Sequence, residues 1–184
     1  MSIVIPTYNH NNRGSDLLDL INSLLSTLNS LFIGEIIIVD NGNSLSEPEL
    51  KMIDKKIKII SESRIGLSYA RNTGILHAGC DIISFVDDDV VVSSSWAEGI
   101  INGYSNNDVF CVGGPVLIDE RNSKRYPYWF SDYFLKFLLP PVFPSQAGII
   151  NSPYYLIGAN MSFRKEIFDK FGLFDSDLGR QGKK

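Results

Sequence analysis

Glu35-Ile36-Ile37-Ile38-Val39-Asp40-Asn41 opens on a strand, Glu35 to Val39, whose isoleucine run leaves it no polar face. Side chains alternate between the two faces of a strand, so an unbroken apolar run needs apolar cover on both. Such a strand belongs inside a parallel sheet with helices above and below it. Outward from this run, short β-branched stretches alternate with longer stretches of helical period, the pattern of βαβ units. Towards the N-terminus, Ile3 to Pro6 predicts a first strand. Ser15 to Leu31 predicts a helix, because Leu17, Leu18, Ile21, Leu24, Leu25 and Leu28 recur at three- and four-residue steps.

In the other direction, Ile57 to Ser61 predicts a third strand, Leu67 to Ala78 a helix entered through Gly66, and Asp81 to Val86 a fourth strand. A helix is expected over Trp96 to Tyr104 and a strand over Val109 to Val116. Asn122 to Pro153, rich in aromatics and prolines, reads as a loop-dominated excursion. Regular structure is expected again over Tyr154 to Phe163, then a helix over Lys165 to Phe171. No repeat or low-complexity segment interrupts this order. The predicted fold is an open, mostly parallel α/β sheet flanked by helices.

The bulk composition agrees. A chain of 184 residues, 44% hydrophobic and 21% charged, can bury the core of a single domain and is not disordered by composition. Its net charge of −4 argues against nucleic acid as a partner, since such binders usually carry a basic face. The terminal Lys183-Lys184 pair reads as a solvated tail. Cys80 and Cys111 form no CxxC pair, so reduced, half-buried thiols are expected, with a cytoplasmic location. The opening residues show no leader pattern. No apolar run approaches the roughly 20 residues of a membrane span. The richest, Phe134 to Phe143, is broken by Lys136 and Pro140-Pro141 and reads as a buried strand or loop.

In open α/β sheets, ligands bind beyond the carboxyl ends of the strands. Here those ends are polar: Pro6-Thr7-Tyr8-Asn9 after the first strand, Asp40-Asn41 after the second, Asp87-Asp88-Asp89 after the fourth. Three adjacent carboxylates repel one another unless a cation or basic partner neutralises them. Alternation puts Asp87 and Asp89 on one side and Asp88 on the other. The triplet suits a hard divalent cation such as Mn²⁺ or Mg²⁺. A solvated acidic turn or a helix N-cap fits the same residues. Arg71, on the helix behind Gly66, suits a diphosphate or a base, and equally a weak surface salt bridge. Neither GxxxxGK[ST] nor GxGxxG is present, nor a GxSxG elbow. His10 and His77 lack partners at metal-ligand spacing and read as structural or solvated.

Taken together these stretches resemble the family 2 glycosyltransferases of the GT-A (Rossmann-like) fold, nearly end to end. Ser2 to Asn9 is similar to the family's first strand and nucleotide loop, Glu35 to Asn41 to its second strand, and Gly66 to Gly74 to its glycine-arginine-asparagine helix. Asp87-Asp88-Asp89 looks like its DxD motif, and Gly158 to Arg164 like the segment lining the donor sugar and the acceptor. The resemblance implies transfer of a sugar from a nucleotide-sugar donor to a glycan, lipid-linked or protein acceptor, as in bacterial-type polysaccharide biosynthesis. Inversion and a bound Mn²⁺ or Mg²⁺ are expected.

By the same resemblance, Pro6, Thr7, Tyr8 and Asn9 wall the nucleotide pocket, entered beside Gly66, and Asp40 reaches the base or ribose. Arg71 faces the nucleotide, and Asp87 and Asp88 hold ribose or sugar hydroxyls. Asp89, with Asp87, ligates the metal, and Asn160 lies near the transferred sugar. Residues 1–115 are expected to form the nucleotide half and 116–184 the donor-sugar and acceptor half of one GT-A domain, incomplete at its C-terminus. The family's base usually lies in a Glu-Asp pair after a stretch similar to Phe174 to Gly179, so it is expected beyond Lys184, with Asp175 and Asp177 belonging to the preceding turn. The chain alone is therefore expected to bind donor and transfer it poorly. Tyr128, Trp129, Phe130 and Tyr133 are expected either to stack on sugar rings or to pack in a core or interface. A lipid-linked acceptor would place the protein at the inner face of the membrane. Two other readings fit parts of the pattern: a non-catalytic nucleotide-sugar-binding module, and a sugar nucleotidyltransferase, whose glycine-rich loop after the first strand is missing here. Nothing in the sequence bears on oligomeric state.

Overall fold

Ile36 and Ile38 of strand β2 (Glu35–Asp40) are fully buried on one face, and Ile37 and Val39 on the other. The first pair packs with Leu17, Leu20, Ile21 and Leu24 of helix α1 (Gly14–Leu24), and the second pair joins Val4, Ala70, Ile75, Ile83 and Phe85 in a separate cluster. The isoleucine run is thus covered on both faces. The computed structural model describes residues 1–8, 14–42, 45, 53–117, 147–151 and 155–178. Asn9, His10, the Phe134 to Phe143 stretch, Tyr128, Trp129, Phe130, Tyr133 and the Lys183-Lys184 tail lie outside the described residues, as does most of Asn122 to Pro153.

The remaining described elements are strands β1 (Ser2–Thr7), β3 (Ile57–Ser61), β4 (Ile82–Phe85), β5 (Cys111–Gly113) and β6 (Met161–Arg164) and helices α2 (Thr27–Ser30), α3 (Leu67–His77), α4 (Trp96–Gly103) and α5 (Glu166–Phe171). Among the described residues they form a six-stranded sheet in the order β3-β2-β1-β4-β6-β5. β1 pairs in parallel with β2 and β4, and β2 with β3. Helix α3 crosses one face of β1 and β2, while α1 and α4 cover the other. No helix among the described residues is long and apolar enough to cross a membrane.

Three expectations need correction. The helix foreseen over Ser15 to Leu31 is broken between Leu24 and Thr27. Asn29, fully buried, donates to the carbonyls of Ser23 (3.1 Å) and Ser93 (2.9 Å) and accepts from the Ala97 amide (3.0 Å). It thereby takes a carbonyl that a continuing helix would need and ties the break to the start of α4. The strand foreseen over Val109 to Val116 is only Cys111–Gly113. The Val109 carbonyl accepts instead from the Arg164 guanidinium (2.9 Å), and Pro115 has no amide to donate. Of the stretch foreseen over Tyr154 to Phe163, only the end of its described residues is strand, and β6 runs antiparallel to both β4 and β5, giving the sheet a mixed edge.

Both cysteines are free, but only Cys80 is half-buried; Cys111 sits exposed on the edge strand β5. His77, exposed, meets the Thr73 carbonyl through Nδ1 (2.8 Å). Behind the carboxyl end of β4, the Phe85, Phe163, Phe168 and Phe174 rings pack mostly edge to face, at centroid separations of 5.4–6.5 Å. Asn72 of α3 secures that cluster from the side, donating to the Phe174 carbonyl (2.8 Å) and accepting from its amide (2.9 Å).

Candidate functional site

Because β1, β2 and β4 are parallel, their carboxyl ends share one edge of the sheet. Thr7 lies opposite Asp40 in the register, and Val4 opposite Phe85, so Asp87 to Asp89 leave β4 beside Thr7. The Thr7 hydroxyl donates to Asp88 (2.5 Å), and both residues are buried. Asp88 therefore forms the floor of the edge, facing β1. Its neighbours behave differently: Asp87 is half-buried and turned towards Arg71, and Asp89 is exposed. Asp88 and Asp89 lie in a turn beyond β4, so the alternation expected of extended backbone does not govern the triplet; its partners, Thr7 and Arg71, separate Asp88 from Asp87. Tyr8, next in line after Thr7, is 49% exposed at the rim, whereas Pro6 is buried within β1.

Arg71 is the largely buried cation among the described residues of the site. Its side chain is 14% exposed and meets Asp87 at 3.4 Å and the Gly158 carbonyl at 3.3 Å. Charge-assisted hydrogen bonds are usually shorter, about 2.7–2.9 Å. Its Nε is buried without a partner among the described residues. Burial pushes the Arg71 pKa down despite the pull of Asp87. Burial likewise raises the Asp87 pKa; Arg71 opposes that shift, while Asp89 and Asp88 add to it. The pair is thus a loosely matched ion pair, with the Nε donor to spare among the described residues. A Cβ at Gly158 would lie 2.5 Å from Arg71 Nη2, so glycine there is what lets the 155–160 segment close over the guanidinium.

Asp40 and Asn41 shape the edge from the β2 side. Asp40, buried, accepts from the amides of Gly42 (3.1 Å) and Leu45 (3.0 Å), and so ties both to the end of β2. Asn41 donates to the carbonyls of Glu62 (2.9 Å) and Arg64 (2.7 Å) and accepts from the Gly66 amide (2.8 Å). Those bonds fix the loop from β3 into α3, where Gly66 has a φ of 151° that favours glycine. On the opposite side, Asn160 accepts from the Trp96 indole (2.9 Å) and donates to the Pro115 carbonyl (3.1 Å).

Thr7, Asp40, Gly66, Arg71, Asp87, Asp88, Asp89 and the Gly158 to Asn160 turn therefore gather along one edge. Asn9, expected beside them, lies outside the described residues. As site residues, Asn41 and Gly158 are marked in the sequence only as parts of longer stretches, and Glu62 and Trp96 not at all. Each works through a partner distant in the chain, so no local pattern singles it out.

As to metal, no three His, Cys, Asp or Glu side chains converge among the described residues. Asp88 accepts from Thr7, Asp87 meets Arg71 and Asp89 lies exposed, so the triplet offers the hard carboxylate oxygens that a divalent cation prefers. That set fits Mg²⁺, which typically takes one or two carboxylates and fills its shell with water and phosphate.

The family model for glycosyl transferase family 2 matches residues 2–172. The chain belongs to that family. A glucosyl-dolichyl phosphate glucuronosyltransferase of Haloferax volcanii is 29% identical over 157 residues, 82% of this chain and 49% of that protein. A chondroitin synthase of Pasteurella multocida is 24% identical over 99% of this chain and 22% of its own length. The crystal structure of S. aureus TarS 1-349 superposes with a TM-score of 0.67, at 17% identity, over 97% of this chain and 51% of that one. This family 2 chain has the α/β fold of the GT-A type. It spans 49% of the length of the first of these relatives and 22% of the second.

Proposed function

We propose that the carboxyl edge of this sheet binds the nucleotide-sugar donor of a glycosyltransferase. The enzyme would move the sugar to an acceptor hydroxyl on a glycan, a lipid-linked glycan or a protein. The observation that carries this reading is Arg71: a largely buried guanidinium whose Nε has no partner and whose contacts are long among the described residues, beside a carboxylate triplet. A buried, under-paired cation is costly unless an anion joins it, and a diphosphate is an anion of matching fork geometry.

In this reading Pro6, Thr7, Tyr8 and Asn9 wall the nucleotide, Asp40 meets the base or ribose, and Asn160 meets the sugar. Residues 1–115 serve the nucleotide and 116–184 the sugar and acceptor. The acceptor oxygen forms a bond to the anomeric carbon as the bond from that carbon to the diphosphate breaks. The nucleoside diphosphate leaves with the electron pair, and the acceptor proton passes to a general base. Attack opposite the leaving group inverts the anomeric centre. Arg71 steadies the charge that grows on the leaving diphosphate. Asp89 and Asp87 would hold Mn²⁺ or Mg²⁺, whose charge, when bound, offsets that of the phosphates.

Calorimetric titration of UDP and GDP, with and without Mn²⁺, tests this on the chain and on Asp89→Ala. One nucleotide is expected to bind in Mn²⁺, with at least about a tenfold loss on metal removal or in the variant. A folded chain that binds neither nucleotide under any condition would refute the donor assignment.

A further inference from the structure

Trp96 opens helix α4, is half-buried against the core, and sends its indole N–H across to Asn160 Oδ1 (2.9 Å). An indole nitrogen can only donate. It therefore dictates which end of the Asn160 amide faces it, and the amide nitrogen must point the other way. There one of its two hydrogens goes to the Pro115 carbonyl (3.1 Å). The backbone is fixed as well: the Asn160 amide donates to the Ile157 carbonyl (2.9 Å), and its carbonyl accepts from Gly114. A Cβ at Gly114 would lie 2.9 Å from Asn160 Nδ2, so glycine there lets the β5 end close on the amide.

This clamped amide sits next to the site. Met161 pairs with Phe85, so Asn160 is one step along the register towards Asp87. Two residues earlier, Gly158 meets Arg71. We propose that Trp96 is a positioning residue for the donor sugar: it locks Asn160 so that an N–H, and not the carbonyl oxygen, is offered to the sugar. The sugar atom received there is then a hydrogen-bond acceptor, a hydroxyl or carboxylate oxygen. This rests on the donor-site reading above. It adds that the sugar, and not the nucleotide, depends on a side chain of α4.

The test compares bare UDP and GDP with UDP-glucose, UDP-N-acetylglucosamine, UDP-glucuronate and GDP-mannose, titrated in Mn²⁺ against the chain, Trp96→Phe, Asn160→Ala and the double variant. Trp96→Phe keeps an aromatic ring in the core and removes the N–H. It should weaken the sugar conjugate that binds by about tenfold and leave its bare nucleotide within about twofold. Asn160→Ala should lose as much, and the double variant no more than Asn160→Ala alone, because the two act as one unit. Equal losses for nucleotide and conjugate would make Trp96 merely structural and overturn the proposal, as would no loss at all or additive losses. Failure of the unaltered chain to bind any of these compounds would bring down the donor-site reading itself, and this one with it.

Discussion

Gly74→Ala is expected to destabilise the protein by about 2 kcal/mol, although alanine is the better helix former. Exchanging glycine for alanine inside an exposed helix normally gains about 1 kcal/mol. Here the added methyl has nowhere to go. Gly74 is buried where α3 crosses β1, and its Cβ would fall inside contact distance of Val4 Cγ1, 2.9 Å from Cγ2 and 3.2 Å from Cβ. Val4 cannot yield: it is fully buried, its χ1 is stiff, and β1 is held by β2 on one side and β4 on the other. The helix must lift, and overpacking of this kind typically costs about 1–3 kcal/mol beyond any propensity gain. Arg71 lies one turn earlier on the same helix, so nucleotide affinity should fall with stability.

Denaturant unfolding of Gly74→Ala, Val4→Ala and the double variant checks the cause. Val4→Ala alone opens a cavity and should cost about 2 kcal/mol. In the double variant the new methyl partly fills that space, so the summed cost should exceed the measured one by about 1 kcal/mol or more. A single Gly74→Ala variant as stable as the parent would mean that α3 and β1 are not packed this closely.

The parts of the fold legible in the sequence are those governed by local pattern. The run Ile36-Ile37-Ile38-Val39 signals two covered faces, and the polar ends Thr7, Asp40 and Asp87 to Asp89 follow from where parallel strands stop. Illegible were features decided by one partner far along the chain. Asn29 breaks a helix whose leucine period runs on past Leu24, because it bonds Ser93 and Ala97. Arg164 takes the Val109 carbonyl and shortens β5. The same holds within the site. The acidic triplet is readable as a triplet, but the division between a floor residue, Asp88, and an Arg71 partner, Asp87, exists only once β1 and α3 flank it. Trp96 and Asn160 are 64 residues apart, and nothing in either neighbourhood announces the other.

Glu62 shows the same limit and supplies the other large effect. It follows β3 without any motif around it, yet it is buried and accepts from the Arg64 amide (2.9 Å), Nε (2.9 Å) and Nη2 (2.8 Å) and from the Thr73 hydroxyl (2.5 Å). The Arg64 guanidinium, stacked 4.6 Å from the Tyr69 ring centroid, is the main reason the Glu62 carboxyl is held at a pKa of about 2, below its usual 4.5; burial works the other way. A carboxyl whose pKa is lowered on folding contributes stability that is complete above the unfolded value and lost as pH falls through the folded one. The window here runs from about pH 4.5 down to about pH 2. The full shift corresponds to roughly 3 kcal/mol, which the exposure of the Arg64 head reduces to about 2 kcal/mol.

Glu62→Gln should therefore be about 2 kcal/mol less stable than the parent at pH 7, and most of the gap should close as pH falls to about 2, where the folded Glu62 carboxyl is half protonated. Unfolding curves of the two proteins across that range measure the gap directly, and the parallel titration of other carboxylates cancels in the difference. A gap that stays constant with pH would show that Glu62 contributes through shape and neutral hydrogen bonds alone. Because Glu62 joins the end of β3 to Thr73 on α3, the helix that carries Arg71, loosening it should also weaken nucleotide binding at neutral pH.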